Sequence, residues 1–287
     1  MNKINFKKRL VIGTANFTQK YGADPNRIKQ SEIKKIINFA QNNKILKIET
    51  AESYLDHKHE FKNINKKFKF ITKIKPNKRW VSFDFCKKKI DNHFSIFHQN
   101  KIETLLFHDI KILFNKEGPK VFENLCILKK KKYFKKIGIS IYDINCLDYL
   151  ISNYNFDVIQ CPYNILDKRI VKSGWFNRLK NKGIEVHVRS IFLQGLLVNK
   201  LIYKKKYFKK WKSFLSEWFQ SLKKKNISPV DYCINDLLTH DFDQIIIGIN
   251  NCENLKKIID FKILKKKDKT LNFEIKSLQL IDPRKWK

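Results

Sequence analysis

Long apolar runs are missing from this 287-residue chain. No stretch of about 18 consecutive apolar residues occurs, which excludes a membrane-spanning helix. The basic start, MNKINFKKRL, has no apolar region behind it, so neither a signal peptide nor export is expected, and the chain is expected in the cytoplasm. Cysteine patterns are also absent. Among Cys86, Cys126, Cys146, Cys161, Cys233 and Cys252 there is no C-x-x-C and no zinc-ligand spacing. Most lie in apolar stretches, where cysteine acts as a small hydrophobe, so free thiols in a reducing compartment are expected. The pair His57-x-His59 has no third ligand nearby, and no metal site is expected.

Arginine is scarce. Of 61 basic residues only seven are Arg, the residue best suited to phosphate forks and base edges. The formal charge of +34 would by itself suggest nucleic acid or an anionic membrane surface. The lysines, however, are spread along the whole chain. Asn, Ile, Phe and Tyr are abundant too, and with Lys they are the residues of AT-rich codons. Genome base composition is therefore expected to account for much of the excess, and neither a specific nucleic acid nor a membrane is expected as partner. Lysine clusters such as Lys129–Lys132 and Lys204–Lys206 fall at expected helix ends, where cations complement the dipole or face solvent.

What is present is an alternation of β-like apolar runs and amphipathic segments, the signature of a parallel sheet. Strands are expected at Leu10–Ile12, Ile45–Ile48, Phe68–Thr72, Ile102–Phe107, Lys136–Ile139, Asp157–Gln160, Ile184–Val188 and Gln244–Ile247. Between them, Ile33, Ile36, Ile37 and Ala40 recur at helical spacing behind a cap at Ser31. Further helices are expected near Asp84–Gln99, Pro119–Leu128, after Asp143, at Val171–Lys182, Phe208–Lys224, Pro229–Leu238, and from Asn251 onward. Eight strands interleaved with helices, in a chain of this length with no composition shift, argue for one closed (β/α)₈ barrel. An open doubly wound sheet is the alternative, but no G-x-G-x-x-G follows the first strand.

In such a barrel the catalytic groups sit where strands end. Glu49 closes the second expected strand, with Tyr54 five residues on; Lys73 ends the third, and His108 ends the fourth. A charged or imidazole group directly after a buried apolar run is either paired or functional. The run Ile48-Glu49-Thr50-Ala51-Glu52-Ser53-Tyr54 resembles the I-D-T-A-x-x-Y motif of the aldo/keto reductase family. Thr72-Lys73 resembles its T-K, Leu106-Phe107-His108 its L-x-H, and Gly138-Ile139-Ser140 its G-x-S. Gly13-Thr14-Ala15 with Tyr21-Gly22, Gln160 with Tyr163-Asn164, Gln194-Gly195-Leu196-Leu197, and Ile247-Gly248 before Asn251 extend the likeness over nearly the whole chain. Leu280–Trp286 and Arg189–Gly195 resemble a bacterial subgroup often tied to surface-sugar pathways.

The resemblance implies a cytoplasmic, NADP(H)-dependent oxidoreductase that reduces a small-molecule aldehyde or ketone, with a sugar-derived carbonyl as one candidate. Tyr54 would donate the proton, Lys73 would lower its pKa from the usual value near 10, Glu49 would hold Lys73, and His108 would orient the carbonyl. Ser140 and Gln160 would hold the nicotinamide carboxamide, Arg189 would stack on its ring, and Ser190 through Leu196 would wrap the pyrophosphate with amides near Gly195. Gly248, Asn250, Asn251 and Asn254 would take the adenosine phosphate at a helix N-terminus. Two departures stand out: Glu49 replaces the family's Asp, and Leu55 replaces its Gly. The extra methylene of Glu49 raises the alternative of a dinucleotide-binding barrel with impaired catalysis. A polyanion-binding protein, motivated by charge alone, is the third reading.

Overall fold

Short β-branched runs give strands only when another strand lies alongside, and here each of the eight runs finds two. In the computed structural model, which describes residues 3–18, 28–54, 64, 67–97, 102–265, 268, 271, 273–275 and 277–286, the strands are β1 (Leu10–Gly13), β2 (Lys47–Glu49), β3 (Lys69–Ile74), β4 (Ile102–Phe107), β5 (Phe134–Ser140), β6 (Val158–Pro162), β7 (Glu185–Arg189) and β8 (Gln244–Gly248). They close in sequence order into a parallel barrel, with Leu10 opposite Ile245 and Gly13 opposite Gly248 at the seam. The expected fold class holds. Strand positions match the reading from sequence within about two residues, the scatter normal for element ends.

Period-two alternation decides what each strand residue does. Val11, Ile71, Leu106, Val158 and Ile246 point inward and form a small cluster within the barrel. Their neighbours Leu10, Ile12, Phe70, Leu105, Phe107 and Ile159 belong to the larger layer between strands and helices. Each such aliphatic side chain, fully buried, contributes about 1.5–3 kcal/mol. The glycine of the G-x-S run has a packing role. A Cβ on Gly138 would lie 2.1 Å from the Val158 carbonyl oxygen, so only glycine lets β5 approach β6 there.

Outside the barrel run α1 (Lys3–Arg9), α2 (Gln30–Asn42), α3 (Phe83–Phe97), α4 (Gly118–Lys130), α5 (Leu147–Asn153), α6 (Trp175–Asn181), α7 (Lys212–Lys224), α8 (Pro229–Leu237) and α9 (Cys252–Ile259). Four differ from expectation, the one over Phe208–Lys224 in that its first part, Lys206–Trp211, is a 3₁₀ helix and the α-helix starts only at Lys212. Ser31 is not a cap: α2 begins at Gln30 behind an extended Lys29, with no side-chain cap. The helix expected over Val171–Lys182 is two pieces, Arg169–Lys172 and α6, parted at Gly174, whose φ of +79° a helix cannot include. The basic start is itself a helix. Its Phe6 is fully buried against Phe261, ring centroids 5.0 Å apart, and Arg9 donates to the Phe242 carbonyl and Asp241 just before β8. Thus α1 covers the end of the barrel where strands begin.

Asp143 does cap, accepting from the Asn145 amide, and Asn251 caps α9 by accepting from Asn254. The readings placed on Tyr21, Gly22, Leu55, His57 and His59 lie outside the described residues, as does most of Leu55–Lys67. Among the described residues, no helix is long and apolar enough to cross a membrane and no group of three or more potential ligands could hold a metal.

Candidate active site

Strand geometry brings the expected residues to one end of the barrel. Glu49 ends β2, Lys73 lies one residue from the end of β3, His108 follows β4, Ser140 ends β5 and Arg189 ends β7. Glu49 and Lys73, on adjacent strands and each only 4% exposed, form a direct ion pair between Oε1 and Nζ. The longer side chain at 49 therefore still reaches its lysine. Removing two charges from water costs several kcal/mol per ion, so neither partner would be kept here alone.

Tyr54 sits on the single helical turn over residues 52–54 that follows β2, fixed by its amide donating to Ala51 O at 2.8 Å. The Lys73 ammonium lies 5.7 Å from the Tyr54 ring centroid. The His108 ring meets the same ring edge-on at 6.1 Å. Sequence leads one to expect Lys73 to lower the Tyr54 pKa. Instead burial first, and the Glu49 carboxylate second, push the phenol well up, and the opposing cation is Arg189. The reason is the pairing itself: Lys73 brings its own negative charge to the site. His108 is pulled down to about 3 by burial and by Lys73, Lys75 and Arg189, so its imidazole is neutral at ordinary pH. Its Nδ1 is buried without a partner among the described residues.

Glu49, Tyr54 and Lys73 line a cavity of about 570 Å³ that runs past Arg189, Ser190 and Gly195 to Gly248, Asn250, Asn254 and Lys257. His108, Ser140, Gln160, Leu196 and Asn251 do not line it. Ser140 donates to Gln160 Oε1 at 2.7 Å, both side chains being buried. Gln160 Nε2 has no partner among the described residues. A buried amide donor left so costs about 1–3 kcal/mol, and a ligand carboxamide oxygen is the chemistry that would satisfy it.

The loop after β7 carries a run of left-handed residues: Ser190 at φ +62°, Leu193 at +46°, Gln194 at +50° and Gly195 at +89°. Such conformations store strain and cluster at ligand clamps. The amides expected to be free near Gly195 are already engaged, Gly195 N–H donating to Phe192 O and Leu196 N–H to Leu193 O. What Gly195 supplies is room, since a Cβ would come 3.0 Å from Ile202. At α9, the Asn251 side chain is used by its cap, and the Cys252 amide donates to Glu32 Oε1 at 2.7 Å. The helix terminus thus has two of its donors taken, and the groups facing the cavity are Asn250, Asn254 and Lys257.

Several lining residues were not singled out from sequence. Asn16 donates to Asn250 Oδ1 at 2.5 Å and bridges the first and last strand-end loops. Its only sequence signal is its place behind Gly13-Thr14-Ala15. Ser228, Pro229 and Val230 come from the start of α8, which no strand-end rule could locate. Tyr142, two residues past β5, receives the Arg189 guanidinium on its ring at 3.8 Å and that of Arg284 at 3.7 Å.

A search of the curated proteins finds no match. The family model described as Aldo/keto reductase family matches residues 9–272. Among solved structures, the holo form of aldo-keto reductase AKR11C1 from Bacillus halodurans aligns with a TM-score of 0.70 at 17% identity, covering 91% of this chain and 89% of that one. The glycerol dehydrogenase AKR11B4 from Gluconobacter oxydans aligns with a TM-score of 0.65 at 16% identity, with the same two coverages of 91% and 89%.

Proposed function

The chain belongs to the aldo/keto reductase family, and from that premise we propose that it is an NADP(H)-dependent reductase that converts a small aldehyde or ketone to an alcohol, with Tyr54 as proton donor. The observation that carries this reading is the shared cavity. Glu49, Tyr54 and Lys73 line the same space as Gly195, Gly248, Asn250, Asn254 and Lys257, so a reacting centre and a dinucleotide-sized trough are continuous.

The residues fit the cofactor. Gln160 Nε2, oriented by Ser140 and buried just outside the cavity lining, would donate to a carboxamide oxygen seated against it. Ser190 and Gly195 frame the trough where a pyrophosphate would pass, and Leu196, buried beneath, holds the loop's shape. Asn250 and Asn254 would hold the adenosine end, with Asn251 fixing the turn and Lys257 offering charge to a 2′-phosphate. When bound, the reduced nicotinamide supplies the hydride.

The protein's own part is the proton and the orientation. The phenol of Tyr54, held up by burial and Glu49, keeps its proton across the physiological range, as a donor must. Tyr54 would pass that proton to the carbonyl oxygen, and the phenolate left behind would be stabilised by Arg189, with the Glu49-paired Lys73 ammonium 5.7 Å from its ring, until solvent restores the proton. His108, neutral, can donate one hydrogen bond to the same oxygen. The six cysteines, all free thiols, are compatible with a cytoplasmic setting.

Two measurements test this. Protein fluorescence should be quenched by micromolar NADPH, and Tyr54→Phe should lower turnover by about 10²–10⁴-fold while leaving that quench intact. Absence of a quench at millimolar NADPH would overturn the reading.

A further inference from the structure

Arginines in this protein have partners. Of the six among the described residues, Arg9, Arg169, Arg178 and Arg284 each pair with an aspartate. Arg79 is exposed on the surface, above the Phe85 ring. Arg189 is different. It is half-buried, it lines the cavity beside Tyr54 and Lys73, and no carboxylate among the described residues lies within ion-pair distance of it. Its guanidinium is held in place by neutral groups: Nη2 donates to Ile141 O at 3.0 Å, and the plane rests on Tyr142.

The contrast with Arg284 is internal to one stack. Both guanidinium groups flank the same Tyr142 ring, at 3.8 and 3.7 Å. Arg284 is neutralised by a fork to Asp282, with Nε at 2.9 Å and Nη2 at 2.6 Å from its two oxygens. Arg189 has no such counter-charge among the described residues. A partly desolvated guanidinium without an anion is costly, and its fork geometry suits carboxylate and phosphate oxygens. Electrostatics put it at the reacting end, since its charge acts on both Tyr54 and His108. The other charges there do not cancel it: Glu49 is matched by Lys73, and Lys75 adds a further cation facing His108.

We propose that the carbonyl substrate is itself an anion, carrying a carboxylate or phosphate that Arg189 binds while the carbonyl meets Tyr54. This rests on the reductase reading and deepens it by naming the substrate class. Arg189 would then set specificity by supplying the counter-charge missing from its side of the Tyr142 stack.

The test compares matched pairs with NADPH as donor: 4-carboxybenzaldehyde against its methyl ester, and glyceraldehyde 3-phosphate against glyceraldehyde. The anionic member should be favoured in kcat/KM by about tenfold or more, on the scale of one charge-assisted hydrogen bond. Arg189→Gln should bring the ratio close to one, mainly through KM, and Arg189→Lys should retain part of it. Both preferences should shrink with added salt. A ratio near one in the unmodified protein for both pairs overturns the proposal. So does an Arg189→Gln variant that keeps the ratio but binds NADPH more weakly, which would make Arg189 a pyrophosphate ligand. If none of the four compounds turns over although NADPH binds, the reductase reading fails. The charge preference is then decided by titrating the NADP⁺-loaded protein with 4-(hydroxymethyl)benzoate and its methyl ester. Equal affinity for the two would end the proposal; tighter binding of the acid, lost in Arg189→Gln, would sustain it.

Discussion

The two ends of the barrel use the same chemical pair, a lysine with a carboxylate, in opposite ways. Where strands begin, Asp157 precedes β6 and Asp243 precedes β8. Each accepts the backbone amide of the neighbouring strand, Ile137 N–H at 2.7 Å and Val186 N–H at 2.8 Å. Each also pairs with a lysine from the helix that leads into that neighbouring strand, Lys129 at 2.6 Å and Lys180 at 2.8 Å. These side chains are 24–33% exposed, so water shares the charge. Where strands end, the Glu49 and Lys73 side chains are almost fully buried and face the cavity. The first arrangement is a hydrogen-bonded brace that water softens. The second holds a charge in a dry place next to a phenol, where each ion depends on the other. Exposure, not residue type, separates stability from chemistry.

The sharpest way to break this contrast is Glu49→Gln. It leaves the Lys73 ammonium buried with no counter-ion, which should cost about 3–5 kcal/mol of stability. A shifted ammonium should also lower turnover by about 100-fold. Denaturant melts and single-turnover rates report the two losses; Glu49→Asp, which keeps the charge, should recover most of both. At the opposite end Asp243→Ala should cost less, about 1–3 kcal/mol for the Val186 amide left unsatisfied. Its kcat should stay within about twofold of the parent, because nothing at that end touches the cavity.

Acid should weaken both ends together. Burial holds His93 at about 4 and His108 at about 3, against an ordinary value of 6.5, and lowers His187. Between those values the unfolded chain binds protons that the folded chain refuses. Stability is therefore complete above pH 6.5 and declines as pH falls through the window toward 4. In the first unit below 6.5 the loss is at most about 1 kcal/mol per histidine. A Tm that stayed flat from pH 7 to 5 would contradict this assignment.

Much of this was legible in the sequence, for physical reasons that can be named. The strands were readable because buried parallel strands need apolar β-branched runs, and Glu49, Lys73 and His108 because a charge or imidazole after such a run is conspicuous. The helix start at Asn251 was readable, although the side chain expected to meet a phosphate is spent on the Asn254 amide. The failures are of two kinds, local competition and long-range contact. Ser31 has the right chemistry for a cap, but the chain enters α2 one residue earlier. Helix α1 depends on Phe6 meeting Phe261, 255 positions away, so its own residues give no sign of it. The direction of the Tyr54 shift depends on how Glu49 and Lys73 divide their influence, which spacing cannot convey. The loop at Gly195 looked like a source of free amides, yet its turns use them internally.

Arg284, stacked on Tyr142 from a segment that follows every strand, makes the catalytic rim separable from the barrel itself. All eight strands find their neighbours without residues 282–284. Without that segment Tyr142 would lack one of its two flanking cations and Arg189 would lean on an unsupported ring. Truncation after Leu280 would thus leave the strand pairing in place and the rim unfinished, so ligand recognition would be lost before the fold.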